Sequence, residues 1–454
     1  METLTLVLFP NQLFESAPRD IGATRVYVLQ DPLFFGDASR VAEFHPHKIT
    51  LHKKSIAAYK KACKVPCSTK GYPPGTSHRA CYDEMWSALG RPDTLHMLHV
   101  YDRLLETRLR AWSTRNRVDI VWHDNPGFLF THHEREEYKG AYLFSSFFAK
   151  GKKQWKIHEL FPSSTDKQNR KRPDRAAMDE LASMNMKRFS YPVTRDEALA
   201  LLREFLTSKI HRYGDLQDFT FTSPRLQADP FAFHSGLSSS LNIGIITPHE
   251  VLQAVLKHMK QQQGTAPHNS YEGFVRQLFW REYVLLLYQH HYEHYINDYQ
   301  NFRSNQTRLD KRGPWYDLKK ADALKSQPVV YHAVTKTLTH SYAHHIERLM
   351  VLLNFMMISG IHPESIYHWF TSQFIDAYDW VMIPNIYGMG YFSTTGMRKP
   401  YVSSSSYVAR MSDVPKDGTW DKEWDRLFYG FLHDNRDTFK KTVYANLLKK
   451  RGAS

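Results

Sequence analysis

Cysteine is nearly absent: the 454-residue chain has three, Cys63, Cys67 and Cys81, all in one early segment. Three thiols are too few for a disulfide framework and one short of a four-thiolate cluster, so a reducing compartment is the simpler expectation. Cys63 and Cys67 are spaced as a metal pair could be, but they sit among lysines without a second pair, and no metal is assigned. Long apolar runs are also missing. No window approaches the ~20 apolar residues that a membrane helix needs. The start, METLTLVLFP, lacks the basic region and long apolar stretch of a signal peptide. A soluble, intracellular protein that does not engage a membrane is the expectation. No glycine-rich dinucleotide fingerprint follows the first strand-like run, and no internal repeat or long low-complexity tract is present.

Rings and positive charge are abundant. Aromatic residues make up 14% of the chain, with 10 Trp, 26 Tyr and 27 Phe, and 60 Lys plus Arg against 46 Asp plus Glu leave a net charge of +14. That balance suits a protein that approaches a polyanion, nucleic acid first among them; a merely basic soluble enzyme is the competing reading. Residues 3–9, 25–31 and 118–124 are short β-branched and leucine-rich runs, and helical periods cover 49–64 and 99–111 between them. This alternation predicts an α/β domain with a parallel sheet and flanking helices over 1–130. The polar, charged run STDKQNRKRPDR at 164–175 marks a linker region, 131–194. Beyond it the strand signal largely disappears, and helical patterns at 195–208, 248–262, 270–299, 329–358 and 419–449 predict an all-helical domain over 195–454.

Three blocks in that second half carry chemistry. FHSGLSSSLNIGIITPHE supplies Ser235, Ser238, Ser239 and Ser240 close to helix starts, where hydroxyls and free backbone N–H groups suit a pyrophosphate; taken alone, it reads rather as a serine-rich capping loop. In FVRQLFWREY, Arg276, Trp280 and Arg281 cluster near one end of an amphipathic helix, where they could hold a phosphate and stack an unpaired base, or be a core tryptophan beside surface arginines. In YAHHIERLM, His344 and His345 could supply a proton-donating imidazole at physiological pH. Arg348 and Asp376 lie on successive helical segments and could pair across a buried pocket, since either charge alone would be costly there.

In this order after an α/β half, these blocks resemble the cryptochrome and DNA photolyase family, and most closely its iron–sulfur bacterial cryptochrome and (6-4) photolyase-like branch. The resemblance runs from TLTLVLFPNQL through DAYDW, PNIYGM and KPYVSSSSYVARMSD, across most of the chain. It implies the photolyase fold, FAD as cofactor, and UV-damaged DNA as partner to a monomeric, light-driven lyase. Tyr213, Ser235, Ser238, Ser239, Ser240 and Leu241 would surround the FAD phosphates. Arg276 would stand beside the cofactor, Arg348 would pair with Asp376 next to the isoalloxazine, and Asn385 and Met389 would line the same wall. His345, with His344 before it, and Tyr401 would serve the flipped lesion, which Gln277, Trp280, Arg281 and Lys399 would help to bind. Trp369 matches a tryptophan that carries electrons in the family; Trp380 is a second candidate, with packing as its competing role.

The departures from the family pattern are specific. The stretch after ARMSD holds no cysteine, so no iron–sulfur cluster is expected; Trp420, Trp424, Leu427 and Phe428 stand available to fill that space. Met382 occupies the position of a polar residue that faces the flavin, and Asn11 replaces an acidic residue after the first strand, which leaves the identity of any antenna chromophore in the α/β domain open. The double histidine, and Gln277 where cyclobutane-dimer enzymes usually carry an acid, favour the (6-4) photoproduct. Cyclobutane-dimer repair, or a cryptochrome light receptor without repair, are the alternatives.

Overall fold

The computed structural model describes residues 4–165, 172–184, 189–222, 229–262, 267–299, 302, 306–393 and 400–450. Five strands form one sheet: β1 (Thr5–Leu8), β2 (Arg25–Leu29), β3 (Cys67–Lys70), β4 (Thr94–Leu98) and β5 (Asp119–His123), in the order β3-β2-β1-β4-β5. Every neighbouring pair is parallel. Parallel neighbours require crossovers, which the helices α1 (Pro46–Ala62), α2 (His78–Ala88) and α3 (Arg103–Asn116) supply. β1 is fully buried, as a central parallel strand covered on both faces must be. β3 and β4 carry no strand signal in the sequence because β3, CSTK, is a polar edge strand with alternating exposure and β4 is interrupted by His96. The helix expected from residue 99 begins at Arg103, since the Asp102 carboxylate accepts from the Leu105 N–H at 3.0 Å and caps it there.

The region expected as a linker contains helices of its own. One of them, α4 (Phe144–Gln154), buries Phe147, Phe148 and Gly151. A Cβ on Gly151 would come within 2.4 Å of the Phe279 ring, so glycine allows this helix to sit close on its neighbour. That neighbour is the longest helix, which is α6 in a series begun by α5 (Ser238–Ile243): α6 spans His268–Asn297 and is kinked at His291. The expected helix 329–358 is broken. α7 (Pro328–His340) stops where Ser341 takes a left-handed conformation with φ 59°, its hydroxyl donating to the Gln373 carbonyl at 2.5 Å. The chain resumes as a widened helical turn at Glu347–Leu353, after the Glu347 carboxylate accepts from the His344 N–H at 3.0 Å. Further on, α8 (Pro363–Gln373) and α9 (Trp420–Asp434) complete the wall around this segment, and α9 buries Trp420, Trp424 and Phe428.

The two halves dock through buried polar contacts. Lys48 on α1 donates to the carbonyls of Thr371 at 3.2 Å and Ala377 at 2.5 Å, and Leu13 N–H donates to Ile243 at 2.9 Å. Arg40 pairs with Asp102 and lies 3.7 Å from Asp379, which also accepts from the hydroxyls of Tyr288 at 2.6 Å and Tyr367 at 2.5 Å. Among the described residues no helix is long and apolar enough to cross a membrane.

Candidate functional site

The helical half surrounds a cavity of about 600 Å³, walled by α5, by the first half of α6, by the turn at Glu347–Leu353 and by the segment from Asp376 to Met389. Tyr213, Ser235, Ser238, Leu241, Arg276, Gln277 and Trp280 line it. So do Arg281, His345, Arg348, Asp376, Trp380, Asn385, Met389 and Tyr401. A further space of about 200 Å³ shares Ser238, His345, Arg348, Asp376 and Asn385 and adds His344 and Met382 to the lining. The sequence blocks, far apart in the chain, thus converge on one place.

Arg348 and Asp376 form a two-pronged ion pair, Nη1 to Oδ1 at 2.8 Å and Nη2 to Oδ2 at 3.1 Å. Arg348 Nε also donates to the Ala343 carbonyl at 2.6 Å, and its guanidinium lies 4.1 Å from the Phe374 ring centre. Burial pushes the Asp376 carboxyl up, but the charge and hydrogen bonds of Arg348, with one from Ser238, outweigh it and hold the group below the usual carboxylate range. Asn242 fixes the adjoining backbone, donating to the Asp376 carbonyl at 2.8 Å.

The two histidines differ in place. His344 is buried behind the larger cavity, stacked on His234 with ring centres 4.8 Å apart, and its Nε2 lies 3.3 Å from Thr220 Oγ1 and 3.6 Å from the Glu347 carboxylate. Burial drives its pKa well below the usual value. His345 projects into the cavity. The protein around it, and then the Arg348 charge, push its pKa down to about 4. Because its ring is open to the cavity while lying deep in the molecule, that depression acts in full only where water is excluded. Both shifts favour the neutral imidazole, which can still donate through its ring N–H.

Other expected residues lie elsewhere. Ser239 and Ser240 are buried in α5 without lining the cavity, and among the described residues neither hydroxyl oxygen has a hydrogen-bond partner. Trp369 on α8 is wholly buried outside the cavity; its indole N–H donates to the Trp315 carbonyl at 2.7 Å, and its ring centre lies 5.6 Å from that of Phe374, the ring beneath Arg348. Arg281 does line the cavity, but its guanidinium is turned inward. It donates to the Gly127 carbonyl at 2.5 Å and to Asn242 Oδ1 at 3.2 and 3.1 Å, and stands 5.0 Å from the Trp380 ring centre. Its guanidinium is consumed by the junction between the two halves, and burial lowers its pKa to about 10. Lys399 lies outside the described residues. The cavity also has lining residues that the sequence reading missed, among them Phe144, Ser164, Asp218, Asn242 and Tyr407. Phe144 and Ser164 belong to the expected linker, where nothing in the local pattern signals a site.

Residues 6–221 match the family model described as deoxyribodipyrimidine photo-lyase-related protein. A (6-4) photolyase of Agrobacterium fabrum is 33% identical over 267 residues, 56% of this chain and 50% of that protein. By these matches the chain is similar to proteins of the photolyase and cryptochrome-related family. The match spans half the length of the Agrobacterium fabrum enzyme. An uncharacterized protein of Acanthamoeba polyphaga mimivirus is 48% identical over 93 residues, 20% of this chain and 76% of its own length. Among solved structures, a bacterial class III photolyase from Agrobacterium tumefaciens superposes with a TM-score of 0.58 at 14% identity, over 95% of this chain and 88% of that one. A Synechocystis cryptochrome gives 0.58 at 15%, over 95% and 89%. At such identities the two structures share the fold.

Proposed function

We propose that this protein is a light-driven DNA repair lyase that holds FAD in the helical half and acts on UV-induced pyrimidine dimers, the (6-4) photoproduct before the cyclobutane dimer. The observation that carries the reading is the convergence, in one cavity, of the Arg348–Asp376 pair, His345, Tyr401 and Trp280.

The residues present suit FAD in kind. The cavity has the size typical of cofactor sites and combines apolar and aromatic walls with charged, amide and hydroxyl groups, and the buried hydroxyls of Ser239 and Ser240, without a partner among the described residues, lie on the short helix that contributes Ser238 and Leu241 to its wall. Arg276 and the α5 serines are the candidates for the phosphates, and Arg348, Asp376, Asn385 and Met389 for the ring system. Bound FAD supplies electron donation on illumination. Everything else falls to the chain. Asp376, ionised and fixed by Arg348, accepts hydrogen bonds at a constant position. Met382 and Met389 present thioethers to the ring wall and exclude water.

A dimer of damaged pyrimidines is already poorly stacked, so extruding it from the duplex costs less than extruding normal bases. Trp280 and Tyr401 offer aromatic surface to the extruded group, and the net charge of +14 adds a sequence-independent attraction to phosphates. The His345 imidazole, neutral at rest, hydrogen-bonds the lesion. A developing anion next to it raises its proton affinity, so that it can take up a proton and hand it on in the (6-4) reaction. The amide of Gln277, donating to Gln217 Oε1 at 3.3 Å, puts a neutral group where an acid would favour the cyclobutane dimer.

The test is the absorption spectrum of the purified protein, followed by titration with duplexes that carry either lesion. Flavin absorbance with one FAD per chain, and tighter binding of a (6-4) duplex than of its undamaged counterpart, are expected. A colourless protein that cannot be reconstituted with FAD would refute the reading.

A further inference from the structure

Trp280 does not stand alone at the cavity. Its indole lies parallel to the Phe144 ring, with centres 3.8 Å apart and planes 9° from one another. Phe144 is in turn stacked on Phe148, at 5.6 Å and 12°, and Phe148 is buried against Phe279 at 5.2 Å. Tyr283 meets both rings of the pair edge-on, at 5.7 Å from Phe144 and 5.4 Å from Trp280. Phe144 and Trp280 are both half-buried and both line the cavity.

A flat ring has two faces, and Phe144 takes one of the indole's. Only the other is left for a base. The plane of that remaining face is set by a stack whose far end is anchored in the core and whose helix, α4, is pressed onto α6 at Gly151. An indole free to rotate about its side-chain torsions would have to be ordered on each binding event; a stacked one is ordered beforehand.

We propose that Phe144 is a positioning residue for lesion recognition: it fixes the plane of Trp280 so that one indole face is presented to an extruded pyrimidine. Phe144 thereby gives the segment between the two halves a part in specificity. The inference rests on the reading that the lesion enters this cavity, and the test separates the two. Duplexes with and without a (6-4) lesion are titrated against the FAD-loaded full chain as wild type, Phe144→Leu, Phe144→Tyr, Trp280→Ala and the double variant Phe144→Leu/Trp280→Ala.

Phe144→Leu keeps apolar bulk and loses the parallel ring, so it should weaken lesion binding by about three- to tenfold, the worth of an aromatic pair, with undamaged DNA unaffected. Phe144→Tyr should retain wild-type preference. In the Trp280→Ala background, Phe144→Leu should cost nothing further, because it acts through the indole. Additive losses, equal losses on both duplexes, or no loss in Phe144→Leu while Trp280→Ala loses preference would each overturn the proposal. A wild type without lesion preference, or a Trp280→Ala variant that keeps it, is the separate failure of the underlying reading, and the proposal falls with it.

Discussion

Replacing Asp376 by Asn removes one charge from a pair that the fold has almost closed off from water: the side chains of Arg348 and Asp376 are 13% and 7% exposed. Breaking a buried pair from one side costs about 3–5 kcal/mol, since the partner is left charged and unmatched. Two features of the site reduce that here. Arg348 keeps its bond to the Ala343 carbonyl and its place on the Phe374 face, and the Asn oxygen still accepts one hydrogen bond. A loss of about 2–3 kcal/mol is expected, read from urea unfolding of the flavin-stripped chain so that cofactor binding does not enter. The pH dependence has a definite sign. The Asp376 carboxyl is held below its ordinary value, so its contribution is present above the unfolded-state pKa of about 3.9 and is lost as pH falls through the folded value. The gap between wild type and Asp376→Asn should therefore close only in acid. A double variant, Arg348→Met with Asp376→Leu, should recover most of the loss, because apolar groups of similar size replace a buried pair at little cost. A single-variant loss under about 1 kcal/mol, or a double variant that loses the sum of both singles, would refute the claim that this pair is buried and mutually dependent.

Other outcomes follow from the same geometry. His52 and His344 are buried and held neutral, His52 with its pKa down at about 3 and His344 well below its usual value, in both cases chiefly by burial. The unfolded chain takes up protons below about pH 6.5 that the folded one refuses, so stability should fall from pH 7 to pH 5 by up to about 1.4 kcal/mol per pH unit for each such residue; unfolding curves that coincide at the two pH values would contradict it. Trp369→Phe should leave FAD binding intact and slow the light-driven reduction of the bound flavin, followed by absorbance under continuous illumination; an unchanged rate would return Trp369 to packing alone. Iron analysis of the purified protein should find no stoichiometric metal, since no cysteine follows Cys81.

The parts legible in the sequence were those with a local period or a local motif. β1, β2 and β5 stand out as β-branched runs, and the serine block and YAHHIERLM can be located without a structure. β3 could not be, because a polar edge strand has no apolar alternation to read. The break in the helical pattern after His340 was hidden as well: Ser341 and the Glu347 cap interrupt it through bonds to Gln373 and His344 that no periodicity reports. Of the site residues that escaped notice, Phe144 and Ser164 lie in the expected linker. Phe144 reaches the cavity from a region that reads as connection, and its role depends on stacking against Trp280, 136 positions away in the sequence, as the numbering of the two residues gives. Arg281 illustrates the converse. Its place on an amphipathic helix beside Trp280 suggested DNA, while the tertiary contacts with Gly127 and Asn242 use the guanidinium inside.

Repair per absorbed photon, measured on short duplexes with a single (6-4) photoproduct or a single cyclobutane dimer, for the FAD-loaded wild type and for His345→Ala, bears most directly on the proposed activity. Wild type should restore the (6-4) duplex, and His345→Ala should keep FAD and DNA binding while losing that repair, because the proton passed at the lesion has no carrier. Wild-type repair confined to cyclobutane dimers and indifferent to His345 would contradict the choice of substrate, and no repair of either lesion by a flavin-loaded, lesion-binding protein would contradict the lyase reading itself.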